Sequence, residues 1–192
     1  MIRPELHYNK EVYEKISNTK REEKKYMMCD LEVIGSGAAG TVYTSFLKPK
    51  KEFPQPLVLK EQKRTRHCLN ERDALRYLRE KMLKGELPAY YLFMYGFFSS
   101  GSKYYIIMEK CGECLGEYLV ENNLNVKEYL QLFWQIADAV DCLEKRKFNH
   151  GDLWFENIMI DEDKKIKIID FDSAYKDSVC KNPSFGGAER FR

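Results

Sequence analysis

The chain has 192 residues, and its 32 Lys and Arg against 30 Asp and Glu leave a formal net charge of only +2. This balance excludes any electrostatic argument for a nucleic-acid-binding or anionic-membrane protein, and 44 % hydrophobic residues with 14 % aromatic ones exclude the composition of a disordered chain. No apolar run approaches the ~20 residues that cross a bilayer, and the first residues lack the apolar core of a secretory signal.

The first predicted element after a mixed-charge extension, residues 1–29, is a glycine-containing hairpin. Apolar residues alternate from Asp30 and again over 41–44, so two strands are expected, and the glycine-rich stretch 35–40 between them predicts the turn. A Lys- and Pro-rich segment then leads to a short apolar strand over 56–60, which ends in a lysine.

A helix and two further strands complete a small lobe. Apolar residues at helical spacing predict a helix over 69–84, which Gly85 ends. Strands rich in aromatic residues and isoleucine are expected at 90–98 and 103–109, joined by a short turn of serine and glycine. Five strands with one helix after the third predict a lobe that spans residues 30–110.

Residues 111–192 predict a mainly helical second lobe. A short helix is expected at 115–121, and a capping-box pattern that begins at Asn125 opens a long helix whose last turn holds the basic run 145–147. Two short strands follow, and the chain past Asp170 is loop-like. The apolar stripe of the long helix, with its neighbours, consists of Tyr129, Leu130, Phe133, Trp134, Ile136, Val140 and Leu143.

Six scattered cysteines are too few for a disulfide scaffold, so we expect a reduced, soluble, cytoplasmic protein. Cys111 and Cys114 form a C-x-x-C pair, which could be redox-active or half of a zinc site. A structural zinc ion needs four ligands, however, and no second pair of this kind follows. We therefore expect neither a metal nor a redox role for these two thiols.

The glycine pattern is the first candidate for chemistry. Gly35, Gly37 and Gly40, followed by Val42, would present backbone N–H groups that no side chain shields from a phosphate. Alone the pattern is weak, because dinucleotide-binding folds share it and a plain tight turn could also contain it. The β-prone residues that follow favour a hairpin over the helix of a dinucleotide-binding fold.

Two charged residues lie on the elements that follow this hairpin. Lys60 could merely extend its ammonium to solvent at a sheet edge, but the next helix carries Glu71 on its apolar face. A pair between them would hold the ammonium against the α- and β-phosphates of a nucleotide.

The densest polar cluster begins at Asp152. Asn157 lies on the same predicted loop, and Asp170 follows the next pair of strands. Carboxylate and amide oxygens suit Mg²⁺, so Asn157 and Asp170 would hold a metal that bridges phosphates while Asp152 takes the proton from an attacking hydroxyl. A single acidic residue in a loop often only caps a turn. Turn capping does not explain, however, why Asp152, Asn157 and Asp170 occur together in this order.

These motifs resemble the eukaryotic-type protein kinase superfamily from about Leu31 to the C-terminus. In order, they match its glycine-rich loop, lysine strand, helix-C glutamate, H-R-D catalytic loop with asparagine, and D-F-G motif. The resemblance implies an α+β, two-lobed fold in which a five-stranded antiparallel lobe with one helix precedes a truncated, mainly helical lobe. It also implies that Met108 is the gatekeeper and that the backbone from Glu109 to Cys111 meets adenine.

The sequence departs from the family pattern at several positions. Gly151 stands in place of the H-R-D arginine, so switching by a phosphorylated activation loop is not expected. Trp154 stands where Ser/Thr kinases carry a lysine, and Asp172 replaces the glycine of D-F-G. Residues 186–192 resemble the end of an activation segment, which implies a minimal or C-terminally truncated member of the viral or effector kind.

The resemblance implies an ATP- and Mg²⁺-dependent protein kinase that phosphorylates Ser or Thr hydroxyls of a protein substrate. The H-G-D-L-W loop is also similar to that of small-molecule kinases of the fructosamine and aminoglycoside type, and a third alternative is a non-catalytic decoy that binds a host kinase or another regulatory protein. In the family a later helix covers part of the long helix at 125–147. We therefore expect exposed apolar residues there, and either self-association or partner binding through them or a chain that was cut from a longer one.

Overall fold

The computed structural model describes residues 27–37, 40–48, 56–63, 65–100 and 102–176. The predictions for the extension before residue 27, for the segment 49–55 and for the terminal motif 186–192 therefore lie outside the described residues. The described residues form two compact units, of which the first contains those from Met27 to Arg72 and Phe93–Lys110, and the second contains Asp73–Leu92 and residues 111–176.

The first unit is built on a five-stranded antiparallel sheet, as predicted. Its strands are β1 Met27–Gly37, β2 Gly40–Lys48, β3 Leu57–Lys63, β4 Met94–Ser100 and β5 Lys103–Glu109. They lie in the order β1-β2-β3-β5-β4. β1 begins three residues inside the predicted extension, and the glycine turn joins it to β2.

The fourth strand is shorter than predicted. β4 begins at Met94 rather than at residue 90, because the preceding residues pair within the second unit. There Tyr91 forms an isolated parallel bridge with Ile168, and Leu92 N donates to Ile168 O over 3.0 Å. The apolar run 90–98 therefore contains both the isolated bridge at Tyr91 and the start of β4, and apolar periodicity alone does not show where one ends and the other begins.

Helix α1 spans Arg66–Leu83, so only two residues separate it from β3. It starts three residues earlier than predicted, because Thr65 Oγ1 accepts a hydrogen bond from Cys68 N over 3.2 Å and caps the helix. Its apolar stripe is buried as expected and consists of Leu75, Leu78 and Met82, each at most 1 % exposed. Gly85, with φ +67°, follows the helix end.

The second unit combines two helices with short strands. Its elements are β6 Glu113–Cys114, α2 Leu115–Glu121, α3 Val126–Glu144, β7 Phe148–Asn149, a 3-10 turn Phe155–Asn157, β8 Ile158–Ile160, β9 Ile166–Ile168 and β10 Tyr175–Lys176. β6, β8 and β9 form one antiparallel sheet, and β7 pairs with β10. Across the part of the chain that the structure describes, no helix is long and apolar enough to cross a membrane.

The start of α3 is as predicted and its end is not. Asn125 Oδ1 accepts from Glu128 N over 3.1 Å, and Glu128 Oε2 accepts from Asn125 N over 2.9 Å, which completes the capping box. The prediction that 145–147 form the last turn was wrong. The helix ends at Glu144, and Lys147 adopts a positive φ of 53° that a helix does not permit.

Helix α3 buries a different face from the predicted stripe. The buried residues are Leu132, Ala139 and Leu143, and Tyr91 Oη donates to Ala139 O over 2.7 Å. Of the predicted stripe only Leu143 is buried, whereas Tyr129, Leu130, Phe133, Trp134 and Val140 are exposed. The expected exposure of apolar residues on this helix is therefore confirmed.

Candidate active site

Lys60, Gln62 and Glu71 form a buried polar cluster in the first unit. Lys60 Nζ lies 2.8 Å from Glu71 Oε1 and 2.9 Å from Glu71 Oε2, and Gln62 Nε2 donates to Glu71 Oε2 over 2.6 Å. The three residues are 8 %, 4 % and 1 % exposed. Removal of one partner of a buried ion pair leaves an uncompensated charge at a cost of about 3–5 kcal/mol, so each charge holds the other in place.

The local sequence explains why these side chains meet. In a strand, residues two apart point to the same face, so β3 presents Lys60 and Gln62 together. Because α1 begins two residues after β3, Glu71 falls on its second turn, on the apolar side that also carries Leu75. The sequence indicated the lysine and the glutamate but missed Gln62. The signal that could have found it is a polar residue two positions after the lysine in a buried strand.

Cys68 lies three residues before Glu71 on α1 and is only 2 % exposed. Burial raises the pKa of the Cys68 thiol, and the negative charge of Glu71 raises it further, while Lys60 opposes the shift. The thiol is therefore a protonated, packed side chain rather than a reactive group.

The glycine turn adjoins the lysine through the sheet. Val42 on β2 lies opposite Lys60 on β3 in the antiparallel register. Gly40 has φ +138°, and a Cβ there would lie 2.0 Å from Glu61 O, so the fold itself requires glycine at this position. A Cβ on Gly37, by contrast, would meet no described atom within 4 Å. Packing does not explain Gly37, and an open backbone is what close approach of a phosphate needs.

The predicted adenine-binding segment starts on β5. Met108, 4 % exposed, lies between Val58 on β3 and Met94 on β4. The Glu109 backbone N–H donates to Phe93 O over 3.0 Å, and its Oε1 accepts from Phe93 N over 2.7 Å. The Glu109 N–H is therefore used within the fold, and contact of the backbone from Glu109 to Cys111 with adenine stays a prediction.

In the second unit, the catalytic-loop candidate is held by hydrogen bonds between side chains and its backbone. Asp152 N donates to His150 Nδ1 over 3.3 Å, and Asn157 Nδ2 donates to Asp152 O over 2.8 Å and lies 3.4 Å from Asp152 Oδ2. Asn157 is 8 % exposed, and its 3-10 turn continues directly into β8. The asparagine amide thereby fixes the aspartate loop to the sheet.

Asp170 is tied to the same loop through its neighbour. Ile169 N donates to Asn157 O over 2.9 Å, and Ile169 O lies 2.8 Å from His150 Nε2. Asp170 itself has φ +59°, a left-handed conformation that few residues other than glycine and Asn or Asp adopt. The fully buried Phe171 ring follows, 4.6 Å from the His150 ring. The backbone that carries Asp170 thus lies against the loop of Asp152 and Asn157, and the joint role of the three side chains stays a prediction.

The His150 ring is a neutral connector in this network. Burial lowers the pKa of His150, outweighing the Ile169 carbonyl and the charges of Asp170, Asp152 and Asp172, which raise it. A neutral ring donates from one nitrogen and accepts at the other, so Nε2–H is assigned to Ile169 O and Nδ1 to Asp152 N–H.

A close backbone contact explains why residue 151, the position of the H-R-D arginine, is a glycine. Gly151 has φ +85°, and a Cβ there would lie 2.2 Å from Ser173 O. The chain after Asp170 therefore passes directly against the catalytic-loop backbone. A larger residue at position 151 would require the two segments to separate.

The predicted site residues divide between the two units. Gly35, Gly37, Gly40, Val42, Lys60, Glu71, Met108 and Glu109 lie in the first, and Cys111, Asp152, Asn157 and Asp170 in the second. Neither Cys111 nor Cys114 forms a disulfide, and no group of three or more metal-ligating His, Cys, Asp or Glu residues occurs in the described ranges. The roles assigned to these residues stay predictions.

Comparison with known proteins gives a family for this arrangement. The family model described as protein tyrosine and serine/threonine kinase matches residues 28–179. The chain is 32 % identical to maternal embryonic leucine zipper kinase of Danio rerio over 95 residues, which is 48 % of this chain and 13 % of that protein. It is 28 % identical to human protein-tyrosine kinase 6 over 79 % of this chain and 32 % of the relative. Human NUAK family SNF1-like kinase 2 is also 28 % identical, over 83 % of this chain and 26 % of its own length. The chain thus spans a third or less of these relatives.

Proposed function

Because the chain belongs to the protein tyrosine and serine/threonine kinase family, we propose that it transfers the γ-phosphoryl group of ATP to Ser or Thr hydroxyls of proteins, with Mg²⁺. The observation that carries this proposal is the buried Lys60–Glu71 pair at 2.8 Å. A desolvated ion pair is a poor means of stabilising a fold, since apolar residues of the same volume often do better. Phosphate binding explains the pair, because Glu71 holds the Lys60 ammonium rigidly in position for phosphate oxygens.

The side chains beside Asp152 fit a magnesium ion. The Asn157 amide nitrogen is engaged by Asp152 O, which leaves its Oδ1 as an acceptor, and Asp170 supplies a carboxylate. Carboxylate and amide oxygens are the hard ligands that Mg²⁺ takes. We assign Asn157 and Asp170 as its ligands; when bound, the ion neutralises charge on the phosphates.

Asp152 is assigned as the catalytic base. Its backbone is fixed by His150 and Asn157, so its carboxylate is presented from a rigid loop. In the reaction the substrate hydroxyl oxygen forms a bond to the γ-phosphorus while the bond to the β–γ bridging oxygen breaks. ADP leaves with that electron pair, and the hydroxyl proton passes to Asp152.

The choice of substrate class rests on the comparisons. The relatives include proteins named as kinases of the SNF1-like kind and one named as a protein-tyrosine kinase. We propose Ser or Thr as the acceptor and a cytoplasmic setting, as the sequence predicted. A small-molecule kinase and a non-catalytic decoy are the alternatives that the following experiment separates.

The test is incubation of the purified chain with Mg-ATP and a mixed protein extract, followed by detection of protein-bound phosphate and phosphoamino-acid analysis. We expect phosphoserine or phosphothreonine, lost in Asp152→Asn and in Asp170→Asn. The matched control is Asp163→Asn, since Asp163 is an exposed residue of the turn between β8 and β9. Nucleotide binding without turnover, or transfer to small molecules alone, would overturn the proposal.

A further inference from the structure

Tyr77, on the part of α1 that belongs to the second unit, contacts two other elements of that unit. Its half-buried ring stacks on the ring of Phe148 in β7, with centroids 5.4 Å apart and planes inclined by 7°. The ammonium of Lys176 in β10 lies 3.7 Å from the centroid of the same ring. An aromatic ring attracts both a second ring and a cation, so one side chain of α1 binds both strands. We call these three residues the Tyr77 clamp.

The Tyr77 clamp joins two strands whose own pairing is short. Within the described residues, β7 and β10 share two residue pairs, Tyr175 with Asn149 and Lys176 with Phe148. A sheet of two short strands is marginally stable by itself, so its side chains must add stability. Phe148 and Lys176 lie opposite each other in this register, and both contact Tyr77. The Tyr77 ring therefore holds the two strands together at one cross-strand pair.

These two strands are also the ends of the stretch that carries the proposed catalytic and metal-binding residues. β7 ends at Asn149, and β10 begins at Tyr175. Asp152, Asn157 and Asp170 all lie between the two strands. When the two ends of a chain segment are held together, its interior loses conformations that it could otherwise adopt. The Tyr77 clamp therefore restricts the backbone on which the three side chains stand.

A further ring contact connects the clamp to the residue that follows Asp170. The Phe148 ring lies 6.3 Å from the ring of Phe171, which is fully buried and 4.6 Å from the His150 ring. The rings of Tyr77, Phe148 and Phe171 thus follow one another from α1 toward the catalytic loop. Loss of the Tyr77 ring removes the support on one side of Phe148, and the packing of Phe171 depends on Phe148.

Among the described residues, two ammonium groups lie near the Tyr77 ring, and the structure favours Lys176 as its partner. Lys81 Nζ is farther away, at 5.9 Å from the centroid, and it forms an ion pair of 2.6 Å with Glu86. Lys176 is half-buried, and within the described ranges no carboxylate forms an ion pair with it. Partial removal of a cation from water strengthens its attraction to a ring.

We propose that Tyr77 is a positioning residue for phosphoryl transfer, a role that rests on the proposed function. Tyr77 acts through Phe148 and Lys176, which hold the two ends of the catalytic stretch against α1. The clamp thereby keeps the backbone of Asp152 and Asp170 in the arrangement that the reaction needs. Tyr77 does not contact the reacting groups itself, so its hydroxyl is not required, whereas its ring and the charge of Lys176 are.

Hydrogen exchange of the purified chain without nucleotide tests the clamp. Tyr77→Leu should speed the exchange of peptides from 149–175 by about 3- to 30-fold, the range that loss of a cation–π contact supports. Lys176→Met should act in the same direction, and peptides of β5 should be unchanged. Tyr77→Phe and Lys176→Arg keep the ring and the charge, so each should show the exchange of the unmodified chain. The matched controls are Arg76→Leu, at an exposed position of α1, and Lys81→Met.

Kinetics test the consequence for the reaction. In Tyr77→Leu and Lys176→Met kcat should fall by at least ~5-fold, because displacement of reacting groups by even about 1 Å is costly, and Tyr77→Phe should restore it. Circular dichroism establishes that each variant is folded. If Tyr77→Leu does not fold, Lys176→Met carries both measurements, since it removes the charge and keeps most of the side chain.

Three results would overturn the proposal: unchanged exchange of the stretch 149–175 in both variants, faster exchange without a fall in kcat, or an effect of Lys81→Met as large as that of Lys176→Met. An unmodified chain that transfers no phosphate would instead overturn the proposed function and with it the positioning role. The exchange measurement, which needs no nucleotide, would still decide whether the clamp holds the stretch.

Discussion

Gln62 and Lys60, two residues apart on β3, bind the same carboxylate, that of Glu71, at 2.6 Å and 2.8 Å. The glutamate is therefore held from two sides. The amide orients the carboxylate without placing a second positive charge beside Lys60. In the proposed reaction Gln62 is a positioning residue that acts through Glu71.

Replacement of Gln62 by leucine should impair nucleotide binding more than folding. A hydrogen bond to a charged group is worth about 1.5–3 kcal/mol, but Gln62 Oε1 is buried and has no hydrogen-bond partner among the described residues, so leucine also removes an unsatisfied acceptor. We expect the melting temperature to change little and the KM for ATP to rise about three- to ten-fold, which corresponds to ~0.7–1.4 kcal/mol. A lowered melting temperature with an unchanged KM would show that Gln62 is only structural.

Two glycines of the same turn should respond in opposite ways to alanine. Gly40→Ala places a Cβ 2.0 Å from Glu61 O and strains a positive φ, so a loss of about 2 kcal/mol or more of stability is expected. Gly37→Ala meets no described atom within 4 Å and should leave stability unchanged while it weakens ATP binding. Thermal melting and titration with a fluorescent nucleotide measure the two effects. Unchanged ATP affinity in Gly37→Ala would show that phosphates do not approach this residue.

The close contact of Gly151 with Ser173 should make Gly151→Ala strongly destabilising. Gly85→Ala is the matched control, because Gly85 also has a positive φ but no atom within 4 Å of an added Cβ. The control should cost only the conformational penalty of about 1 kcal/mol, and Gly151→Ala clearly more. Equal effects in urea unfolding would mean that Ser173 moves aside at no cost.

The neutral His150 ring makes stability depend on pH. Its pKa in the folded state is lowered by burial below the unfolded value of ~6.5, so between these two values the unfolded chain binds a proton that the folded chain does not. The free energy of unfolding should therefore fall as the pH drops below about 6.5, by up to ~1.4 kcal/mol per pH unit. Urea unfolding from pH 7.5 to 5.5 measures it, with His150→Gln as the comparison. An equal slope in the variant would assign the effect to other groups.

The sequence was sufficient to identify site residues that lie close together along the chain. Asp152 and Asn157 share one loop, and Lys60 and Glu71 are brought close by a connection of two residues, so motif spacing sufficed. The sequence could not show that Gln62 binds Glu71, because the alternation of side chains along a strand gives the face on which Gln62 lies but not its hydrogen-bond partner. It also misplaced the core side of α3, since Leu132 and Ala139 on one side and their neighbours on the other are equally apolar.

The rate at which the buried Cys68 thiol is alkylated measures how often the helix that carries Glu71 opens. Cys68 is 2 % exposed and its pKa is raised by burial, so a thiol reagent reaches it only when the start of α1 opens, while the partly exposed Cys111, Cys114 and Cys142 are accessible without that opening. The slow phase of alkylation therefore reports how often the helix releases Glu71. A ligand that binds Lys60 while it is paired with Glu71 should slow the alkylation of Cys68. The alkylation rate therefore measures how much of the protein has that ligand bound.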